Sequence, residues 1–396
     1  VPRELWHQIL DAVEPDTRIY FLGDLAQLPA LQGVSPMPFA IEKWPTIVLD
    51  KIYRQADGSP LIENLTRIRK GLEPVHNAQV FRCGDKERLP AAPTEARRYI
   101  GGYISQLYKM GIWDPQQDMI LTPENEATLG QEYWNRAFRF AFNPEKRDAN
   151  NKLLNPPILM RTSLGTQTFA VGDKVMATNN GGRKATENRF VNGSIGTIVR
   201  IEPNPRFKGD MIGLGSMEDA IYGSKDEEHE LTAQDMFDFT ESAKNEADSV
   251  TESVYEDLYA DNDEVGRMEA SHVIHVLEQA TGDTFILTRS SEVASIQHAY
   301  ATTCHKFQGS QARNVLVICH NNMRFGHHRE WLYTACSRAQ QRGFSRFQDT
   351  ALAKSVQKQR IVGRNAKEKA AHMRELYSKR TYAVPKLPAN RKLIGV

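Results

Sequence analysis

Apolar residues along this chain recur with two different spacings. Val315 to Cys319 (VLVIC) is an unbroken apolar run of strand length, as expected of a strand covered on both faces. Asp118 to Leu121 (DMIL), Arg18 to Leu22 (RIYFL) and Thr46 to Leu49 are shorter β-prone runs. Elsewhere the spacing is helical. Leu61, Ile62, Leu65 and Ile68 share one face after Ser59-Pro60, and Gly71 supplies the stop. Thr94 to Met110 and Thr128 to Phe142 repeat that pattern, as do the first ten residues and the stretch REWLYTAC, which ends in Ser337-Arg338. Tyr133, Trp134, Phe138 and Phe142 form an aromatic stripe that reads as core rather than as a platform for stacked bases. Strands alternating with helices predict an α/β chain built on a parallel sheet. Arg82 to Pro93, charged and proline-rich, reads as a hinge.

From Phe169 the pattern becomes all-β. FAVGDKVMATNN and VNGSIGTIVRIEP read as short strands with Gly-Asp and Asn-Gly turns, and HVIHVLEQA and TFILTR as two more. Several short strands of this kind predict a small barrel. A segment with few large apolar residues interrupts it and is expected to be an exposed loop. After Arg338, RGFSRFQD is weakly patterned, Lys354 to Lys379 reads as a basic helix, and the last residues as a mobile end.

Charge changes that picture in two places. The net charge is only +1 over 396 residues, yet residues 216–265 hold 17 Asp or Glu and two Lys, and residues 354–396 hold 12 Lys or Arg and two Glu. Such a split points to a polyanionic partner for the basic part, and to a protein partner for the acidic loop or the basic tail. No apolar run approaches the length of a membrane span, so no membrane contact is expected. The four cysteines include no Cys-x-x-Cys pair, which suits a reducing cytoplasm. Cys319, His320, His327 and His328 match no zinc spacing, so no metal ligand is assigned.

The candidate chemistry sits in turns that follow strands. Gly23-Asp24-Leu25-Ala26-Gln27 follows the first run, Asp50-Lys51-Ile52-Tyr53-Arg54-Gln55 the second, and Thr122-Pro123-Glu124-Asn125 the third. Ala301-Thr302-Thr303-Cys304-His305-Lys306-Phe307-Gln308-Gly309-Ser310-Gln311 precedes the buried strand, and Ser337-Arg338 closes the helix after it. Each turn alone also has a plain structural reading. In this order they resemble the motifs of RecD-like superfamily 1 helicases, which move 5′-to-3′ on single-stranded DNA. GDLAQLP is similar to motif III, YRQ to the motif IV region, ATTCHKFQGS to motif V and YTACSRA to motif VI. VGDKVMATNN…VNGSIGTI is similar to the start of the SH3-like barrel inserted in the second RecA-like domain of that family.

The resemblance implies an α/β fold. It consists of a RecA-like P-loop NTPase-type parallel sheet domain with an inserted small SH3-like β-barrel, preceded by a remnant of a first RecA-like domain. The implied boundaries are 1–80 for the end of the first domain and 94–165 with 293–350 for the second. Residues 166–292 form the barrel with its acidic loop 216–265, and 351–396 the basic tail. The implied function is an ATP-dependent DNA helicase, with ATP and Mg²⁺ as cofactors and single-stranded DNA as partner. Gln27, Arg54 and Arg338 become the catalytic candidates, because phosphoryl transfer needs positive charge delivered to the γ-phosphate and a guanidinium holds two oxygens at once. Gly23, Asp24, Gln308, Gly309 and Gln311 join them as nucleotide-binding candidates. Thr122, Asn125, Thr302, Thr303, His305 and Lys306 are the DNA-binding candidates, suited to backbone contact without base reading.

Three departures qualify this. Gln311 stands where the family has a ribose-binding Glu. The strand expected after motif VI is degenerate. No G-x-x-x-x-G-K-[ST] occurs anywhere in the chain, so the expectation is of a chain that begins partway through the first domain and does not hydrolyse ATP alone. The alternatives are a non-catalytic single-strand-binding or adaptor protein, and the helicase module of a conjugative relaxase.

Overall fold

The computed structural model describes residues 9, 11–14, 17–28, 37–48, 59–162, 165–178, 190–207, 269–323 and 326–378. Arg54 with its YRQ context, the acidic loop, most of the first ten residues and the last 18 residues lie outside the described residues.

The centre is a parallel sheet. Its strands are β1 (Phe81–Arg82), β2 (Met119–Thr122), β10 (Ala301–Thr303), β11 (Ala312–Cys319) and β12 (Ala339–Phe347), in the order β1-β12-β11-β2-β10. Strand alternation assigns the two faces. Met119, Leu121, Val315 and Val317 pack on one side against helices α2 (Pro60–Arg69), α6 (Arg329–Cys336) and α7 (Asp349–Gln357), through Leu61, Ile68, Trp331 and Leu352. Ile120, Leu316, Ile318 and Phe344 pack on the other side against α3 (Pro93–Lys109) and α4 (Gln131–Phe142), through Ile100, Ile104, Trp134 and Phe138. The α/β class is therefore as expected. The aromatic stripe of α4 lies largely in the core, with Trp134, Phe138 and Phe142 stacked in series and Trp134 and Phe138 buried.

Helix α2 begins where Ser59 accepts the Leu61 N–H with Pro60 in the first turn, and it ends before Gly71 at φ +80°. Those are the start and stop read from the sequence.

A second sheet is antiparallel, in the order β8-β7-β6-β5-β9. It comprises β5 (Lys174–Ala177), β6 (Ile195–Pro203), β7 (Glu269–Glu278), β8 (Thr284–Arg289) and β9 (Ile296–His298), with a separate hairpin of β3 (Ile158–Thr162) and β4 (Gly165–Phe169) beside it. Its core holds Phe169, Val175, Ile198, Ile274, Val276, Val293 and Ile296, with the short helix α5 (Ser290–Ala294) packed against β3. Among the described residues β8 and β9 are the ends of this order, and no pairing joins them.

Four sequence expectations need correction. Residues 17–22 and 45–48 form no strand. No described strand pairs with them, and Tyr20 and Leu22 are left 81% and 89% exposed. Residues 81–89 are not a hinge. β1 pairs with β12, and Leu89 donates its N–H to Phe347, so this segment is sewn along the sheet edge. RGFSRFQD is not degenerate: its first six residues lie in β12, which pairs on both sides, and Asp349 opens α7. The basic helix is two helices, α7 and α8 (Ala366–Ser378), parted at Gly363 with φ +158°. Helix α8 packs on α1 (Met37–Lys43). No helix of the described residues is long and apolar enough to cross a membrane.

Candidate functional site

Bonds from Asp118 at the start of β2, and from Asp173 and Lys174 at the start of β5, fix the two sheets to each other, and so set the geometry of the cleft between them. The buried Asp118 carboxylate accepts two bonds from Arg313, at 3.0 and 2.8 Å, and both N–H groups of Asn314. Its backbone carbonyl receives the Lys174 ammonium at 2.8 Å. Gln116 donates to Gly172 and accepts from Thr197. On α4, Arg139 and Asn143 reach Asp173, which also meets His298 at 3.2 Å. Burial alone would raise the Asp173 pKa. The His298 hydrogen bond and charge, then Arg139, reverse that and hold it below the usual carboxylate range.

The cleft opens where the turn after β10 faces the antiparallel sheet. It measures about 260 Å³ and is lined by Thr178, Asn192, His305, Lys306 and Gln308. Gly193, at φ +88°, lets the Asn192-Gly193 turn fold against β5, and Ser310 Oγ then donates to its carbonyl at 3.1 Å. The Lys306 ammonium reaches Gln297 Oε1 at 3.1 Å. Burial lowers its pKa, against the opposing pull of Glu132. His305 is pushed down to about 4 by burial, with His328 and Arg360 adding to the effect, so it is neutral at ordinary pH. Its Nε2 is buried and has no hydrogen-bond partner among the described residues.

The other DNA candidates sit differently. Thr122 is fully buried and spends its hydroxyl on the Leu129 carbonyl. Asn125 is exposed. Thr302 is buried and its Oγ1 has no hydrogen-bond partner among the described residues, and Thr303 Oγ1 accepts the Lys306 N–H.

The nucleotide candidates do not all come together: Gln308 lines the cleft itself, and Arg54 lies outside the described residues. Asp24 accepts the Ala26 N–H at 2.8 Å and the Gln27 side chain at 3.3 Å, forming a tight local turn beside the exposed Gly23. Leu28 then docks this segment, its N–H on Thr334 Oγ1 at 3.0 Å and its carbonyl near Gln308 Nε2 at 3.5 Å. Arg338 is only 3% exposed. Its guanidinium donates to the carbonyls of Thr334 and Ser310 and to Ser337 Oγ, so it is turned inward. Gly309, at φ +98°, has open space where a side chain would stand, and the exposed Gln311 pairs with Gln340.

This donor set does not fit a metal-bound triphosphate. No group of three or more His, Cys, Asp or Glu among the described residues could hold a metal ion, and the Asp24 carboxylate is occupied by its own turn.

Sequence reasoning brought out His305, Lys306 and Gln308 but missed Thr178 and Asn192 as cleft residues. The Asn-Gly turn was the available signal, since such a turn exposes its Asn at a tip.

Comparison with known proteins finds similarity to DNA helicases. Residues 298–343, from the end of β9 into β12, match the UvrD-like helicase C-terminal domain. The chain resembles the carboxy-terminal part of RecD-like superfamily 1 DNA helicases. It is 27% identical over 194 residues to the ATP-dependent RecD2 DNA helicase of Deinococcus radiodurans, a match that spans 49% of this chain and 23% of that helicase. Similar solved structures include the Pif1 helicase of Candida albicans, at TM-score 0.34 and 16% identity over 90% of this chain and 67% of that one. Bacteroides Pif1 in complex with ADP-AlF₃ and single-stranded DNA is similar at TM-score 0.38 and 15% identity, over 91% and 66%.

Proposed function

We propose that this chain forms the single-strand-tracking part of an ATP-dependent 5′-to-3′ DNA helicase, with the DNA backbone lying in the cleft between the two sheets. The cleft carries this reading. One ammonium (Lys306) and neutral polar groups (Thr178, Asn192, His305, Gln308) line it, and the turn similar to motif V forms one wall. Neutral donors and acceptors hold phosphates without reading bases and release them readily, as stepping requires. In this reading residues 166–292 act as the SH3-like insert, and the ATP and Mg²⁺ that such a helicase uses would be held by a P-loop-bearing domain outside this sequence, with Gln27, Arg54 and Arg338 facing that domain.

Fluorescence anisotropy with labelled oligo-dT tests it. Binding should weaken with salt, and Lys306→Ala should flatten the log–log salt slope by about 0.7, the contribution of one phosphate on a single strand. Asn192→Ala with His305→Ala should weaken binding by about tenfold without changing that slope. Absence of binding at low salt would overturn the reading.

The inward guanidinium of Arg338 favours a second reading, in which the chain binds single strands without hydrolysing nucleotide. A P-loop-bearing first domain joined to this chain separates the two. DNA-stimulated ATPase activity that is lost in Arg338→Ala supports the helicase. DNA binding with no ATPase activity supports the second.

A further inference from the structure

Strand β10 is the outer edge of the parallel sheet, yet its outward N–H groups are both taken. Asn135 Oδ1 accepts from Ala301 at 2.7 Å, and Gln131 Oε1 accepts from Thr303 at 3.1 Å. The acceptors stand four residues apart on helix α4, the donors two apart on the strand. Four helical residues rise about 6.0 Å, and two strand residues about 6.6 Å. The spacings agree to roughly half an ångström. Helix α4 therefore presents carboxamides where a further strand would present carbonyls, running antiparallel to β10.

Each amide is held in this orientation. Gln131 is fully buried, and its Oε1 must face the Thr303 N–H, because two donors cannot meet there. Its Nε2 then has no partner among the described residues. Among the described residues, all of its side-chain hydrogen bonding goes to one backbone position, two residues before His305.

The start of α4 is tied to the other candidate turn. Gln131 donates its backbone N–H to Glu124, and Glu132 donates its own to Asn125, each at 3.1 Å. The segment Thr122–Asn125 and the segment Thr303–Lys306 are thus joined through Gln131.

Resting on the single-strand reading above, we propose that Gln131 and Asn135 are positioning residues for nucleic-acid contact. They set where the Thr303–Lys306 turn sits along the sheet edge, and so where His305 and Lys306 meet a backbone phosphate.

Gln131→Met keeps the length of the side chain and removes the acceptor. The expected result is faster amide exchange at Thr303 and an oligo-dT dissociation constant raised about five- to tenfold, one net hydrogen bond's worth, well below the melting temperature. Asn64→Leu is the control. Asn64 also clamps a backbone segment with a buried carboxamide, bonding Val75 through both its groups, but it lies in α2 away from the cleft. It should lower the melting temperature and leave the dissociation constant unchanged. If Gln131→Met does not fold, Asn135→Leu, read by exchange at Ala301, replaces it. Accelerated exchange with unchanged DNA affinity would overturn the proposal and leave the amides purely structural. Failure of the unsubstituted chain to bind oligo-dT would instead overturn the single-strand reading, and this proposal with it.

Discussion

Among single residues, Glu330 shows how one side chain can hold a segment in place. It is 2% exposed in the first turn of α6, and its carboxylate accepts the N–H groups of Arg360, at 3.2 and 3.0 Å, and of Ile361, at 3.0 Å. Burial alone would raise its pKa. The His328 contact and these N–H groups outweigh that and hold it down at about 2. A depressed carboxylate stabilises the fold above its unfolded pKa, near 4.5, and loses that contribution as pH falls towards 2. Glu330→Gln retains only one accepting oxygen and should cost about 1–3 kcal/mol at pH 7, measured by urea unfolding. His305 acts in a different window. Its folded pKa, near 4, lies below the ordinary 6.5, so the unfolded chain takes up the proton first. Stability should fall as pH drops from 6.5 to 4, and His305→Asn should flatten that part of the unfolding midpoint against pH.

Among elements, β12 shows why part of the fold was hard to read. Its buried positions include Ser345 and Arg346, residues that normally mark a surface. Arg346 is accommodated because its guanidinium lies 3.3 Å from the centre of the Tyr103 ring and faces Glu87, a partnership between distant segments that no local pattern displays. Gly343 is equally specific. A Cβ there would come within 2.8 Å of the Phe81 ring, so Gly343→Val should dislodge β1 and lower the melting temperature by several degrees, readable by calorimetry. By contrast, β11 and helices α2 and α3 were legible, because their burial follows sequence periodicity. Residues 18–22 were misread for the converse reason: β-prone composition does not make a strand without a partner. The site divides in the same way. The turn from Thr302 to Gln311 stood out as a motif. Gln131 and Asn135 did not, because carboxamides on a helix resemble a solvated face until the strand edge beside them is known.

At the scale of the whole molecule, Lys174 joins the two sheets at an electrostatic cost. Burial pushes its ammonium down to about 7, against the pull of Asp118 and Asp114. The unfolded chain keeps that proton to about 10.5, so this residue's contribution to stability rises between pH 7 and pH 10. Lys174→Met lacks the titration. The unsubstituted chain should therefore gain melting temperature relative to the variant as pH increases, and a constant difference across that range would count against a neutralised, buried amine.

The capped edge of β10 has a consequence for solubility. An open strand edge invites another chain to add to it, the usual route from sheet to aggregate. Here one edge is occupied by the Gln131 and Asn135 side chains. At the other edge, β1 is two residues long, and Phe81 exchanges backbone hydrogen bonds with Asn77 of its own turn. Among the described residues, the outward N–H groups of β10 and the backbone of Phe81 in β1 are thereby withheld from another chain. Removing both carboxamides at once should raise thioflavin-positive assembly above that of the unsubstituted chain.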